Sequence, residues 1–293
     1  MNSEDGFKSD FRLGIAGLGL MGGSMSLALN GQCRRAGFDL NPNVALVAKQ
    51  NNVVDEVYSE LAEMVNHCDG IILAMPVLGI LATIDKFSLL PAPARPRFLI
   101  DLGSTKVEIC QAMARLGAGW EAIGGHPMCG KETGGLENAS AALFRNARFA
   151  LCAQPNTSGR ARAFGRWLAL AVQAIPLEID PVEHDRQTAL TSHVPYLVAV
   201  ALTLAACPQL PPEDALVGPG FRDTTRLAGS NVTMMGDILA TNRQNVLAGI
   251  SRVQEELSKL KEMLAEPQSE QMFEHLRQTQ KLRRDISSSF SFT

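Results

Sequence analysis

A glycine-rich turn near the start of the chain limits the possible folds more than any other feature. It has the spacing G-x-G-x-x-G, formed by Gly17, Leu18, Gly19, Leu20, Met21 and Gly22. An apolar segment typical of a buried strand precedes the turn, and a helical segment follows it. In this arrangement the three glycines permit a tight turn, backbone approach to a pyrophosphate and close packing of helix on strand. The turn therefore predicts a dinucleotide site at a helix start, where free N–H groups attract phosphate.

An acidic residue lies where this kind of site requires one. Asp39 ends the second predicted strand, about 20 residues after the turn, where a carboxylate binds a ribose 2′-hydroxyl. The alternative is a glycine-rich turn followed by a surface aspartate, but the strand, helix and acid together favour the dinucleotide site. Because Asp39 would repel a 2′-phosphate and residues 40–43 contain no arginine, the sequence predicts NAD rather than NADP. Pro76, which follows another predicted strand, is also predicted to bind the cofactor.

Short apolar segments alternate with helical segments through the first 180 residues. The segments are 12–16, 34–39, 70–75, 97–100 and 121–124, and two further ones at 149–153 and 174–179 are predicted to extend the same sheet. Such alternation is typical of βαβ units on a parallel sheet. From about residue 181 only helical patterns follow. We therefore predict an α/β fold: a Rossmann-type, doubly wound, mostly parallel sheet in residues 1–180, then an all-helical domain in residues 181–293.

Composition restricts the partners and the compartment. The net charge is −3 with no basic block, which argues against nucleic acid and anionic membrane surfaces as partners. No apolar run is expected to reach the roughly 18 residues that span a bilayer. The six cysteines are scattered and the first ten residues resemble no targeting signal, so a cytoplasmic protein is expected. No cluster has metal-ligand spacing, so no metal is expected. No fused regulatory domain is expected either.

A heptad-like pattern occurs late in the chain. Apolar residues alternate at spacings of three and four, at Ile250, Val253, Leu257, Leu260 and Leu264. The pattern fits one face of a helix packed inside its own domain, and it fits equally a helix at a homodimer interface. Both interpretations stay open at this point.

Three further segments stand out, and they lie far apart in the sequence. Two of them, residues 101–106 and 124–132, follow predicted strands, and the third, residues 220–228, lies in the helical domain. In open α/β sheets, ligands bind outside the carboxyl ends of the strands. The first two segments should therefore lie beside the nicotinamide end of the cofactor.

Together these motifs resemble the prephenate/arogenate dehydrogenase family. The resemblance runs from about Phe11 to Asn245 and includes GLGLMGGS, DLGSTK, GGHPMCGKE, SHVP and GFRDTTRLAGS, with MGDI soon after. It implies oxidative decarboxylation of a small molecule, prephenate or arogenate, with hydride transfer to NAD. The product would be 4-hydroxyphenylpyruvate or tyrosine, and the choice of substrate is left open.

The resemblance also implies two catalytic residues. His126 matches the histidine that takes the proton of the ring hydroxyl, and an imidazole near its ordinary pKa of about 6.5 would suit that role. Ser104 matches the serine that hydrogen-bonds the same hydroxyl. As alternatives, His126 is fixed by the turn before Pro127, and Ser104 is the N-cap of a helix predicted over Lys106–Ala114.

Substrate-binding residues follow from the same resemblance. Arg226 matches the arginine that binds the ring carboxylate through two hydrogen bonds, although an ion pair with Asp223 is the alternative. Arg222 matches a second basic position, and Glu132 matches an acidic position lining the pocket.

Two more substrate-binding residues are expected on a helix predicted over residues 182–206. His193 matches the first histidine of a family S-H-L-P-H pattern, and it could equally be a core histidine. Tyr196 replaces the second histidine, and a tyrosine hydroxyl can still donate a hydrogen bond. His184, near the start of this helix, also matches a family position, with helix capping as the alternative.

Two other functions are considered. An NAD-dependent β-hydroxy acid dehydrogenase of similar plan would use a lysine in the helical domain, yet no lysine lies between Lys131 and Lys259. An NAD-sensing protein without catalysis would not need the family histidine, serine and arginine, all of which are present.

Overall fold

An eight-stranded sheet forms the centre of the part of the chain that the structure describes. The computed structural model describes residues 7, 10–93, 95–131, 133–211, 216–266 and 268–289. The strands are β1 (Arg12–Ala16), β2 (Arg34–Phe38), β3 (Glu56–Val57), β4 (Gly70–Leu73), β5 (Arg97–Asp101), β6 (Trp120–Pro127), β7 (Arg148–Cys152) and β8 (Ile175–Glu178). Their spatial order is β3-β2-β1-β4-β5-β6-β7-β8.

The strand pairing confirms the predicted sheet. Strands β1 to β6 pair in parallel, β7 is antiparallel to β6, and β8 is parallel to β7. The two late apolar segments extend the sheet as expected. Strand β3 was not predicted, since two residues carry no detectable periodicity.

Helices cover both faces of this sheet. They are α1 (Leu20–Ala28), α2 (Pro42–Gln50), α3 (Leu61–His67), α4 (Val77–Ser88), α5 (Val107–Ala114) and α6 (Gly159–Ala171). Successive residues of one strand enter opposite cores: Ile72 packs into one hydrophobic cluster, and Ile71 and Leu73 pack into the other. This double burial explains why the central strands read as continuous apolar runs instead of alternating ones.

Further helices follow the sheet in the same compact unit, which comprises Met1–Val246. They are α7 (Pro181–Thr188), a π-helical turn (Ala189–His193), α8 (Val194–Ala206), a 3-10 turn (Cys207–Gln209), α9 (Pro219–Thr225), a second 3-10 turn (Arg226–Gly229) and α10 (Val232–Thr241). Asp180 begins α7 by accepting hydrogen bonds from the amides of Val182 and Glu183. The domain boundary predicted at residue 180 stays a prediction.

The π-helical turn has a cause in the sequence. Pro195 lacks the N–H that would bond four residues back along the helix, so the regular hydrogen-bond ladder cannot continue through it. The helix widens over Ala189–His193 and resumes at Val194. His193 therefore lies on the irregular turn.

The helical stretch Pro181–Gln209 corrects one expectation. It is 29 residues long and contains an 18-residue window with a mean hydropathy of 1.6, of which 17% is buried. The expectation that no apolar segment reaches membrane-spanning length was therefore wrong. Length and composition alone are weak evidence for a membrane, because α8 also packs on Arg226–Gly229 and the stretch carries the buried His193.

A second compact unit comprises Leu247–Thr293. It contains most of α11 (Arg243–Met263) and α12 (Glu270–Ser289). Several of its large apolar side chains are more than 40% exposed: Leu247, Leu257, Leu264, Phe273, Leu276, Leu282 and Ile286. Leu257 and Leu264, two members of the heptad-like pattern, are thus not buried within the chain.

Candidate active site

The three glycines of the turn play different physical roles. Gly17 has a φ of +92°, and a Cβ there would lie 2.5 Å from the carbonyl oxygen of Ala74. A Cβ at Gly22 would lie 1.8 Å from the carbonyl oxygen of Gly17. A Cβ at Gly19 would meet no described atom within 4 Å. Two glycines are therefore required for packing, and the third faces open space where a pyrophosphate can approach the backbone.

The surroundings of the turn also fit a dinucleotide. Gly19 is the N-cap of α1 and has no side chain to occupy the first amides of that helix. Asp39 accepts hydrogen bonds from the amides of Leu18 (2.8 Å) and Asn41 (2.9 Å), and its carboxylate retains lone pairs for ribose hydroxyls. Pro76 is exposed at the start of α4, beyond the carboxyl end of β4.

The two arginines that precede Asp39 on β2 are engaged or placed elsewhere. Arg35 is 3% exposed, and its guanidinium pairs with Asp55 at 2.6 Å. Arg34 is the first residue of β2, at the strand end opposite Asp39. These positions favour NAD over NADP.

His126 lies near the end of β6 and is partly exposed. Its Nδ1 atom is 2.9 Å from Nε2 of His184, and Nδ1 of His184 is 2.8 Å from Oδ1 of Asp185. His184 and Asp185 are 2% and 1% exposed. The structure thus places two histidines and a carboxylate in a hydrogen-bonded row that ends near the carboxyl end of β6.

The side chain of Asp185, on α7, also caps the start of helix α5. Its two carboxylate oxygens accept hydrogen bonds from the backbone amides of Lys106 (2.7 Å) and Val107 (2.9 Å). The interpretation of Ser104 as the N-cap is therefore wrong, since the helix begins at Val107 and Asp185 takes the role. Ser104 lies half-buried in the loop between β5 and α5.

A buried ion pair lies next to the strand that carries His126. Lys106 and Asp101 are both fully buried and their side chains pair, while Nζ of Lys106 donates to the carbonyl of Gly125 at 2.7 Å. Asp101 in turn accepts from the amides of Gly103 (2.8 Å) and Gly125 (3.1 Å). Because each charge is paired and hydrogen-bonded, the cluster ties β5 firmly to the residue before His126.

These surroundings change the acid–base properties of the histidines. Burial, then the neighbouring His184, Lys106 and His193, holds the pKa of His126 well below 6.5. The expectation of a pKa near the ordinary value was therefore wrong. Burial, reinforced by His184 and opposed by Asp185, lowers the pKa of His193 to about 4. Both rings are therefore neutral at neutral pH.

His193 belongs to the same hydrogen-bonded cluster as His126. It is 1% exposed, and its Nδ1 atom is 3.2 Å from Nδ2 of Asn242, which also donates to the backbone carbonyl of Asp185 at 2.7 Å. Tyr196 is half-buried, three residues further along α8. Asn242 was not predicted, and only its position shortly after the last family motif hinted at it.

The predicted arginines lie on elements beside α8. Arg226 is exposed and begins the 3-10 turn that packs on α8. Arg222 is exposed on α9 and donates to the carbonyl of Val217 at 3.4 Å. Glu132 lies outside the described residues. The roles of these residues toward a substrate stay predictions.

Two family models match the chain. The model described as "Prephenate dehydrogenase, nucleotide-binding domain" matches residues 25–164, and that described as "Prephenate dehydrogenase, dimerization domain" matches residues 180–278. Together they cover most of the sheet and most of the helices that follow it.

Individual relatives agree with these models. Prephenate dehydrogenase of Bacillus subtilis is 30% identical over 271 residues, covering 90% of this chain and 72% of that protein. The structure of Aquifex aeolicus prephenate dehydrogenase in complex with hydroxyphenyl propionate and NAD⁺ has a TM-score of 0.86 at 28% identity, covering 95% and 99% of the chains. Synechocystis arogenate dehydrogenase has a TM-score of 0.79 at 27% identity, covering 94% and 100%. With its cofactor turn and histidine row in place, this chain belongs to the prephenate dehydrogenase family of NAD-dependent enzymes.

Proposed function

We propose that this protein oxidises and decarboxylates prephenate or arogenate with NAD as the acceptor. The observation that carries the proposal is His126, held by its Nδ1 atom at the carboxyl end of the parallel strands, where ligands of such sheets bind. Its Nε2 atom can then accept a proton from a bound ring hydroxyl. The Bacillus and Aquifex relatives are named prephenate dehydrogenases, and the Synechocystis relative is named an arogenate dehydrogenase.

The reaction balances without net release of a proton. NAD, when bound, would supply the acceptor for the hydride that leaves the ring carbon bearing the hydroxyl. His126 takes the hydroxyl proton on Nε2, so that carbon becomes carbonyl-like. The bond to the ring carboxylate breaks, its electron pair enters the ring, and carbon dioxide leaves. The aromatic ring then holds a phenolate oxygen, to which His126 returns the proton.

The other predicted residues orient the substrate in this proposal. Ser104 hydrogen-bonds the hydroxyl beside His126, and Arg226 binds the ring carboxylate with Arg222 as a second cation. His193, on the π-helical turn, and Tyr196, on α8, are proposed to contact the substrate as well. Orientation of this kind matters because aromatisation supplies much of the driving force.

The experiment that tests this function follows NADH absorbance with prephenate and with arogenate, using NAD and NADP in parallel. We expect turnover of at least one substrate, with a clearly higher kcat/KM for NAD, because Asp39 repels a 2′-phosphate. Absence of turnover of both substrates by folded protein would refute the function. A preference for NADP would refute only the role given to Asp39.

We further propose that the biological partner is a second copy of this chain, bound through the helical region. The matching family model is described as a dimerization domain, and α11 and α12 expose apolar side chains that water does not favour. Light scattering should give about twice the chain mass of 31.5 kDa. We expect Leu276→Lys (51% exposed) to shift the protein toward monomer and Leu89→Lys (84% exposed, in the first unit) to leave it dimeric. A monomeric wild type would contradict the proposal.

A cytoplasmic location is part of the same proposal. All six cysteines are free, and burial raises the pKa of several thiols, that of Cys33 to about 11 and that of Cys68 to about 12. Free thiols of this kind persist in a reducing compartment.

A further inference from the structure

His126 has two ring nitrogens, and the proposed reaction uses only Nε2. The other nitrogen, Nδ1, is 2.9 Å from Nε2 of His184. Resting on the proposed role of His126 as the base, we propose that His184 and Asp185 are positioning residues that fix the tautomer of His126. They would also stabilise the imidazolium that forms when His126 takes the hydroxyl proton.

The tautomer follows from the hydrogen-bonding capacity of each group in the row. The carboxylate of Asp185 can only accept, so the 2.8 Å contact requires a proton on Nδ1 of His184. A neutral His184 then has a bare Nε2 atom, which can only accept as well. Consequently His126 must donate from Nδ1, and its own Nε2 atom carries a lone pair. That lone pair is what a general base needs.

The carboxylate at the end of the row is held in place. The amides of Lys106 and Val107 bind its two oxygens, so Asp185 faces the positive end of α5 as well as His184. Its backbone carbonyl accepts from Asn242 and from the hydroxyl of Thr188. Asp185 therefore cannot easily turn away from His184, and the direction of the row is set by the fold.

The charges around the row explain why a carboxylate at its end would help His126 to accept a proton. Burial and the groups facing His126, namely His184, Lys106 and His193, all disfavour its cation. Lys106 is compensated by Asp101, whereas Asp185 supplies a carboxylate on the histidine side. When Nε2 of His126 gains the substrate proton, the Nδ1 proton can shift toward Nε2 of His184, which leaves the positive charge beside Asp185. Return of the proton to the product oxygen reverses both shifts.

The tautomer can be measured directly on the full chain without any substrate. The protein has five histidines, so a sample labelled with ¹⁵N-histidine gives a simple spectrum of ring nitrogens. Long-range ¹H–¹⁵N correlation should show His126 and His184 protonated on Nδ1 and bare on Nε2 at neutral pH. Signals are assigned by their loss in His126→Asn and His184→Gln. A proton on Nε2 of His126 would overturn the proposal.

Kinetics of two His184 variants separate positioning from a merely structural role. In His184→Gln the side-chain oxygen can still accept from Nδ1 of His126, whereas in His184→Phe nothing can. We expect the Phe variant to lose at least about tenfold in kcat, with KM for substrate and NAD changed much less. The Gln variant should recover most of that loss. The same change at exposed His67, His67→Gln, should leave kcat unaltered.

The outcomes distinguish this inference from the function on which it rests. If the wild type turns over neither prephenate nor arogenate, the proposed function fails, and the ring-nitrogen spectrum alone then decides the tautomer. If the wild type is active but the Phe variant matches it, or the Gln and Phe variants lose equal kcat, the positioning role is refuted.

Discussion

Replacing His126 by asparagine is expected to lower kcat by roughly 10²–10⁴, the range of general-base catalysis. The asparagine amide occupies the region of Nδ1, so the contact to His184 is largely preserved, while the group that accepts the hydroxyl proton is lost. Because His126 is proposed to act on the hydroxyl of the substrate, its replacement should change the affinity for NAD little. NADH absorbance measures the turnover, and quenching of protein fluorescence measures NAD binding.

The matched control for this variant is His67→Asn, on the exposed face of α3. It should leave kcat unchanged, because His67 bonds only a carbonyl of its own helix among the described contacts and stacks on Tyr58. Near-normal turnover by His126→Asn would refute the assignment of the base. A large loss of NAD binding would show instead that the loop, not the proton transfer, had been damaged.

The lowered pKa of His126 gives the same assignment a second readout. A base is active when unprotonated, so activity is kept as pH falls until it passes through the pKa of the base. Since burial and the neighbouring His184, Lys106 and His193 hold that pKa well below 6.5, the acid limb of kcat/KM should lie below 6.5. A limb at or above 6.5 that vanishes in His126→Asn would contradict the lowered pKa of His126.

The fold was largely predictable because its signals are local. Buried runs such as Ile71–Leu73 identify parallel strands, and the glycine turn identifies the strand–helix junction that a dinucleotide needs. Strand β3 was not predicted because its two residues show no hydrophobic periodicity. The membrane-length stretch 181–209 was not predicted because Thr191, Ser192 and His193 interrupt its apolar runs.

The site was predictable only in part, for a different reason. His126, Ser104 and Arg226 follow recognisable motifs, but the contacts that control His126 join distant segments. Asp185 accepts a hydrogen bond from the amide of Val107, the first residue of α5, which lies 78 residues earlier in the chain. No local sequence pattern predicts that contact. The pKa of His126 likewise depends on burial and on Lys106, which only the folded structure brings together.

Alanine in place of Arg226 is expected to raise KM for the ring substrate about 30-fold or more, equivalent to about 2 kcal/mol, with a smaller effect on kcat. The reason is that a guanidinium binds a carboxylate through two charge-assisted hydrogen bonds, which alanine cannot replace. Arg226 begins a 3-10 turn and is exposed, so its removal leaves no cavity in the core. Initial rates at varied substrate and saturating NAD measure the effect.

Two further arginine variants make the interpretation specific. Arg226→Lys keeps the charge but loses the planar pair of donors, so it should recover only part of the affinity. Arg222→Ala, a change of equal size on the neighbouring helix α9, should raise KM less, because Arg222 is proposed only as a second cation. An unchanged KM in Arg226→Ala would mean that the exposed guanidinium serves only its contacts within the chain. In that case another cation must bind the ring carboxylate. An equal rise in KM in the two alanine variants would indicate general electrostatic attraction of an anionic substrate rather than a directed pair of hydrogen bonds.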